Sequence, residues 1–548
     1  MAAVFVGRQT GCQTPQKRVE LLPTGANAMS QITQFLRRAV QIDGRGVATI
    51  CGDRRQDWAT FANRAARLAG ALAGLGFKPG DRIGILALNC DRYLESFFGL
   101  AQGGFVFVPI NTRLAPPEIV FWLADSGCSG LLVDDAFVPV LPKVLPETPD
   151  MRHVVYIGDG ATPDGQVSYE ALIAGAEPAG DSGRCDNDMA GIFYTGGTTG
   201  RSKGVMLSHN NILSNAHNIS TAAPFRQQTC FIHAAPMFHL ADGAMTFIVT
   251  ANGGRHVFLP RFDPAAFLRM VEEHRVTTAL LVPTMINMLV HHPEVTTRDI
   301  SSLEDLLYGA SPMPEAVILR AMEVMPKVRF TQAYGQSEAS PLMTLMPPDA
   351  LWVDGKLSNR IKSAGRGVLD CEVAILDEND REVPRGTVGE ICGRGKTVML
   401  GYWKQPELTA YTLRNGWLHT GDGGTMDDDG YVYIVDRMKD MIVSGGENVY
   451  SAEVEEALYA HPAVAECAVI GVPDDTWGER VHAIVRLKPD MTATGQELIA
   501  SCYQRIANYK CPRSVTIQHE PLPLSGAGKI LKSELRKPYW EGWEKRVN

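Results

Sequence analysis

The chain has no C-x-x-C pair, and its 11 cysteines show no grouping with histidines at zinc spacing. Zinc ribbons and fingers are excluded on that ground, and scattered thiols in so long a chain read as reduced, mostly buried residues of a cytoplasmic protein. No apolar run reaches the roughly 20 residues that a membrane-spanning helix needs. The nearest, Phe97 to Ile110, is interrupted by Gln102 and by glycines, so only a weak peripheral membrane contact stays open. No basic run is long enough to follow a nucleic-acid backbone, and the formal net charge is -9; a nucleic-acid partner is not expected. Internal repeats and low-complexity tracts are lacking too. The apolar stretch Ala2-Ala3-Val4-Phe5-Val6 is too short for a signal-peptide core. Residues 1–28 are expected to form a disordered extension ahead of an internal start at Met29.

With 548 residues the chain exceeds what one core supports, so two or more domains are expected. From Trp58 to Leu75 apolar residues recur at helical spacing, and Gly76 then Pro79-Gly80-Asp81 stop and turn the chain. Arg82 to Ala87 reads as a buried strand, Asp91 to Ala101 as a helix, and Phe105 to Pro109 as a strand. The alternation returns at Gly130 to Val133 and Thr278 to Pro283, which indicates α/β layers around a largely parallel sheet. After about Gly389 short β segments dominate. A compact α+β tail follows, with a helix at Ala452 to Leu458 and a strand at Ala468 to Pro473.

The segment Tyr194 to His209, Y-T-G-G-T-T-G-R-S-K-G-V-M-L-S-H, stands between two apolar runs. Gly196, Gly197, Gly200 and Gly204 permit close backbone approach. Their N–H groups, with the hydroxyls of Thr195, Thr198, Thr199 and Ser202, suit an anion, and Lys203 adds a mobile point charge for polyphosphate. A Walker A loop would need Gly-Lys-Ser/Thr, whereas here Lys203 lies between Ser202 and Gly204. Further along come Pro236-Met237-Phe238-His239-Leu240-Ala241, Tyr308-Gly309-Ala310-Ser311-Pro312, Gln332-Ala333-Tyr334-Gly335-Gln336-Ser337-Glu338, Trp417-Leu418-His419-Thr420-Gly421-Asp422, Asp436-Arg437-Met438-Lys439-Asp440, Ser444-Gly445-Gly446-Glu447-Asn448 and Pro523-Leu524-Ser525-Gly526-Ala527-Gly528-Lys529-Ile530. Each alone is an ordinary turn or solvated charge run; their order is informative.

Taken in order, these segments resemble the motifs of the adenylate-forming superfamily, in its acyl-CoA synthetase and fatty-acid–CoA ligase branch, from roughly Ile32 to Lys537. The resemblance implies an α/β fold. A large N-terminal domain of layered α/β subdomains plus a β-rich subdomain (29–437) would precede a small mobile α+β C-terminal domain (438–548). It implies an AMP-forming acid–thiol ligase that uses ATP, Mg²⁺ and CoA. Thr195, Gly196, Gly197, Thr198, Thr199, Gly200 and Lys203 would hold the departing phosphates. Gly309, Ala310, Ser311 and Tyr334 would flank the adenine, Asp422 and Arg437 the ribose, Ser337 the α-phosphate, and Glu338 would hold Mg²⁺. Lys529 would bridge the acid's carboxylate and the α-phosphate, with Thr195, Ser337 and Glu338 sharing the catalytic set. Lys439 matches the hinge, and Ser444, Gly445 and Gly446 the pantetheine tunnel. Ser337 departs from the commoner threonine but keeps the hydroxyl.

For the acid, the implied wall is His239, Leu240, Ala241, Ala310 and Gly335. Acetyl-activating relatives carry tryptophan where Gly335 stands, so very small acids are not expected. With no lysine or arginine in that set to pair a second carboxylate, a medium- or long-chain fatty acid or an aryl acid of the benzoate or cinnamate type is expected, the fatty acid being preferred. Loading of a carrier protein, a luciferase-like oxygenation and a homodimer stay open.

Overall fold

The computed structural model describes residues 30–195, 202–311, 313–353, 356–437, 440–444, 447–474, 476–526, 528–541 and 543. The glycine-rich tip 196–201, Lys439, Gly445 and Gly446 therefore lie outside the described residues.

Helix Trp58–Gly74 shows how the sequence pattern becomes structure. Asp57 caps it by accepting from the Thr60 N–H, which satisfies a donor the helix itself cannot. Trp58, Phe61, Ala65, Leu68 and Leu72 then form its buried stripe. It packs on helix Asp91–Gly103, which is buried from Asp91 through Ala101. A helix covered on all sides must lie inside the molecule. Its acids are accordingly paired: Glu95 meets Arg64 at 2.6 Å and Asp91 meets Arg54 at 2.8 Å.

Two large sheets flank this interior. The eight-stranded sheet runs in the order Gly401–Tyr402, Lys203–Ser208, Met189–Thr195, Val106–Pro109, Arg82–Leu86, Cys128–Val133, His153–Tyr156 and Val167–Ser168. The nine-stranded sheet runs Arg366–Gly367, Leu342–Met346, Arg329–Gly335, Asp305–Gly309, Thr278–Leu281, Cys230–His233, Arg255–Phe258, Val47–Cys51 and Arg54–Asp57. Their inner strands are parallel, as the βα alternation predicts. Phe107 of the first sheet packs edge-to-face on Phe97 at 4.9 Å and on Phe193 at 5.9 Å, so one aromatic layer joins the buried helix to the sheet.

Strands Cys371–Leu376, Gly389–Gly395, Leu418–Met426 and Val432–Arg437 form an antiparallel sheet. The β texture thus begins before Gly389, where the sequence first shows it. The last sheet contains Glu447–Val449, Ile442–Ser444, Gly478–Leu487 and Val464–Asp474, with Ser514–Gln518 added parallel to Gly478–Leu487. It has its own apolar clusters, one around Val454, Val469 and Val485 and another around Ile470, Ile484 and Leu522. No helix among the described residues is long and apolar enough to cross a membrane.

Candidate active site

The phosphate-loop candidate is a hairpin. Strand Met189–Thr195 pairs antiparallel with Lys203–Ser208, and Thr195 stands opposite Lys203. The two residues that frame the glycine-rich tip are therefore held side by side. Tyr194 is locked beneath them, stacked on Trp122 at 4.8 Å.

Strand Gly401–Tyr402 extends the sheet beside this hairpin, with Tyr402 opposite Val205. The Lys203 ammonium stands 5.2 Å from the centre of the Tyr402 ring, within cation–π range. The Tyr402 hydroxyl donates to Glu338 Oε1 at 2.8 Å. Burial, with the Glu338 charge, pushes the phenol far above its ordinary value, so it remains a donor. Lys203, Tyr402 and Glu338 form one connected unit, although Tyr402 belongs to none of the segments singled out in the sequence. Its two-residue strand carries no periodic signal; only the pairing of distant strands reveals it. Glu338 could hold a divalent cation: its carboxylate is buried and Oε1 is oriented by one neutral donor, the Tyr402 hydroxyl. A single carboxylate plus substrate phosphates is a common Mg²⁺ ligand set.

Strands Asp305–Gly309 and Arg329–Gly335 are parallel neighbours, Gly309 opposite Ala333. Their carboxyl ends bring Ala310, Ser311, Gly335 and Ser337 to one edge, where open α/β sheets bind ligands. Ala310 holds a left-handed backbone, φ 69°, which costs of order 1 kcal/mol for a residue with a Cβ. Ser337 opens the short helical turn Ser337–Ala339. Tyr334 is buried and donates through its hydroxyl to Asp422 Oδ2 at 2.9 Å. Arg437 Nε lies 3.3 Å from Asp422 Oδ1, across the paired strands Leu418–Met426 and Val432–Arg437. Tyr334, Asp422 and Arg437 thus form one set, joined by a hydrogen bond and an ion pair and drawn from two sheets.

Gly335 has a requirement of its own. A Cβ there would stand 1.9 Å from the Pro341 carbonyl oxygen, so the backbone admits no side chain at this position as it stands. Its glycine is explained by this chain crossing, and its identity alone says less about pocket size than the comparison with acetyl-activating relatives suggests.

His239 caps helix Leu240–Ala251, its ring accepting from the Ala241 N–H. Burial and then the positive charge of Lys529 hold the ring pKa down to about 3, so it is neutral across the physiological range. The lysine's loop is closed by the Ser525 N–H donating to the Lys529 carbonyl at 2.7 Å. It is docked by Arg113 Nη1 on the Ser525 carbonyl, 2.7 Å, and Thr284 Oγ1 on the Gly528 carbonyl, 3.2 Å. The structure therefore brings Lys529, at the far end of the sequence, against the large sheets. Ser444, by contrast, lies in strand Ile442–Ser444 and pairs with Glu447 and Gly478 within the last sheet.

Glu390, Cys392 and His419 bring donor atoms within 4.8 Å of one another, a set no sequence spacing indicates. His419 Nδ1 already pairs with Glu390 Oε2 at 2.8 Å, and Glu390 Oε1 accepts from the Gly421 N–H at 2.8 Å. Arg414 also faces Glu390, at 3.5 Å. His419 Nδ1, on the strand that carries Asp422, and both Glu390 oxygens are thus already engaged, beside the Arg414 cation.

Residues 36–403 match the family model described as AMP-binding enzyme, and residues 453–529 match the one described as AMP-binding enzyme C-terminal domain. The chain belongs to the AMP-binding enzyme family. Relatives include a feruloyl-CoA synthase of Amycolatopsis sp, 38% identical over 516 residues, covering 92% of this chain and 98% of the relative. Another is the medium/long-chain-fatty-acid–CoA ligase FadD8 of Mycobacterium tuberculosis, 35% identical over 507 residues, 90% of this chain and 87% of the relative. Among solved structures, the anthranilate CoA ligase AuaEII in complex with anthranoyl-AMP superposes with a TM-score of 0.86 at 26% identity, covering 94% of this chain and 98% of that one. This AMP-binding enzyme is an ATP-dependent, AMP-forming acyl-CoA ligase of mixed α/β fold, with a large N-terminal and a smaller C-terminal part.

Proposed function

We propose that the chain activates an apolar monocarboxylic acid, a medium- or long-chain fatty acid, at the edge formed by Ala310, Gly335, Ser337 and His239. In the first half-reaction a carboxylate oxygen attacks the α-phosphorus of ATP and pyrophosphate leaves. The thiolate of CoA then attacks the acyl carbon and AMP leaves. A carboxylate needs this activation because its own charge repels nucleophiles and oxide is not a viable leaving group. The protein's part in the first step is positioning and charge neutralisation.

The observation that carries the reading is the docking of the Lys529 loop on the large sheets, through Arg113 on the Ser525 carbonyl and Thr284 on the Gly528 carbonyl. An ammonium at that place can span the acid's carboxylate and the α-phosphate. Asp422 and Arg437 would hold the ribose, Tyr334 the adenine, and Lys203 with the hairpin tip the leaving phosphates. Glu338 would hold Mg²⁺, which supplies Lewis-acid neutralisation of phosphate charge when bound. The acid's tail would meet Leu240, Ala241 and a neutral His239. None of these offers a charge for a second carboxylate. The chain would divide near residue 437, with Lys439 as pivot, so that the loop at Ser444 to Gly446 can serve the pantetheine arm in the second half-reaction.

An aryl acid is the second reading, favoured by the 38% identity to a feruloyl-CoA synthase. A screen of ATP- and CoA-dependent AMP release over straight-chain acids of graded length, benzoates and hydroxycinnamates tests both. A maximum among fatty acids of medium or greater length supports the first reading; turnover confined to aryl acids overturns it. Free acyl-CoA formed without carrier protein excludes the carrier-loading alternative.

A further inference from the structure

Lys529 sits at the tip of a loop, and a loop tip is only as well placed as its base. The loop closes through an isolated bridge between Leu524 and Ile530 and through the Leu531 N–H on the Pro523 carbonyl, 2.8 Å. Immediately after it, Lys532 opens helix Lys532–Trp540. The Lys532 ammonium points inward. It donates to Ser451 Oγ at 2.6 Å and pairs with Glu455 Oε1 at 2.7 Å. Ser451 Oγ in turn donates to Asp436 Oδ2 at 2.7 Å, and the other Asp436 oxygen accepts from the Arg437 N–H at 2.7 Å. Arg437 is the residue beside Asp422.

A hydrogen-bonded chain therefore runs from Asp436 through Ser451 to Lys532 at the base of the lysine loop, and Arg437, the next residue after Asp436, reaches Asp422 with its guanidinium. It crosses from strand Val432–Arg437 to helix Ser451–Tyr459, so it joins the two parts of the protein on either side of residues 438–439. Ser451 is fully buried and Asp436 nearly so, while the Lys532 and Glu455 side chains are mostly covered. Burial would depress the Lys532 ammonium, yet the charges of Glu455 and Asp436 outweigh it and hold the group above its ordinary value. Glu455 has one further donor, the Val469 N–H at 2.8 Å. Such a network acts as a unit, because removing one member leaves the others unsatisfied in a poor solvent.

We propose that Lys532 is a positioning residue for the adenylating lysine, setting the distance between Lys529 and the ribose-bound nucleotide through Ser451 and Asp436. The proposal rests on the reading of Lys529 given above. A misplacement of about 1 Å at a reacting group costs on the order of 100-fold in rate. The second half-reaction, which would not use Lys529, should not depend on this chain.

The test compares Lys532→Met, Lys532→Arg, Ser451→Ala and Lys529→Ala in the full-length protein. Pyrophosphate release from acid and ATP reads the first half, and thioester formation from supplied acyl-adenylate and CoA reads the second. Lys532→Met is expected to lower kcat of the first half on the order of 100-fold, with KM for ATP and the second half within about threefold of the parent. Lys532→Arg should recover most of the loss, because a cation again reaches Ser451 and Glu455. Ser451→Ala, which leaves the Lys532–Glu455 pair intact, should lower the first half about tenfold and decides the matter if the Met variant does not fold. Equal loss of both halves in the soluble variants, or no loss in either, overturns the positioning role. Retention of adenylation by Lys529→Ala would instead overturn the underlying assignment, whatever Lys532 does.

Discussion

Tyr402→Phe isolates one interaction with little collateral change. The substitution removes a hydroxyl and keeps the ring, so Lys203 retains its aromatic neighbour 5.2 Å away while Glu338 loses the donor held at 2.8 Å. Hydrogen bonds to charged groups contribute about 1.5–3 kcal/mol. Each 1.4 kcal/mol is about tenfold, so the expected loss in kcat/KM for Mg·ATP is about 10- to 100-fold. Because the carboxylate itself survives, excess Mg²⁺ should recover part of the loss, whereas a Glu338→Gln variant should not recover. The assay is acid-dependent ATP–pyrophosphate exchange across a Mg²⁺ titration. An exchange rate within about twofold of the parent at limiting Mg²⁺ would refute the link between Tyr402, Glu338 and the cation. A loss that ignores Mg²⁺ would place the tyrosine's role elsewhere.

Replacing Gly335 by alanine puts a Cβ where only 1.9 Å separates it from the Pro341 carbonyl oxygen. Strand Leu342–Met346 must then shift, and a stability loss above about 2 kcal/mol is expected in chemical denaturation; an unchanged midpoint would show that the crossing is soft. Lys439→Pro stiffens the proposed pivot and should slow thioester formation while sparing pyrophosphate release; normal thioester rates would remove the hinge assignment. His209 and His482 are both held neutral by burial, their pKa values lowered to about 4. Below the ordinary value near 6.5 the unfolded chain takes up protons that the folded chain refuses. Stability from these groups is therefore full above pH 6.5 and is lost progressively down to about pH 4. Each contributes a loss of about 1 kcal/mol by pH 5.5, and a His482→Gln variant should show a shallower decline between pH 7 and pH 5 in urea melts.

The sequence by itself determined the elements and the class of chemistry. Helix Trp58–Gly74 and strand Arg82–Leu86 follow from local apolar spacing and turn residues, which act over a few neighbours and so are written in the chain. The ordered motifs from Tyr194 to Lys529 marked an ATP-using ligase through their resemblance, in that order, to those of the adenylate-forming superfamily. Contacts between distant segments were decided by tertiary structure alone. Tyr402 reaches Glu338 because a two-residue strand adds to the edge beside Lys203. Lys532, an unremarked charge in sequence, lies in a buried hydrogen-bonded chain that runs through Ser451 to Asp436. The physical reason is common to both: hydrogen bonds act over a few ångströms in space. Separation along the chain carries no record of which distant residues the sheets will bring within that range.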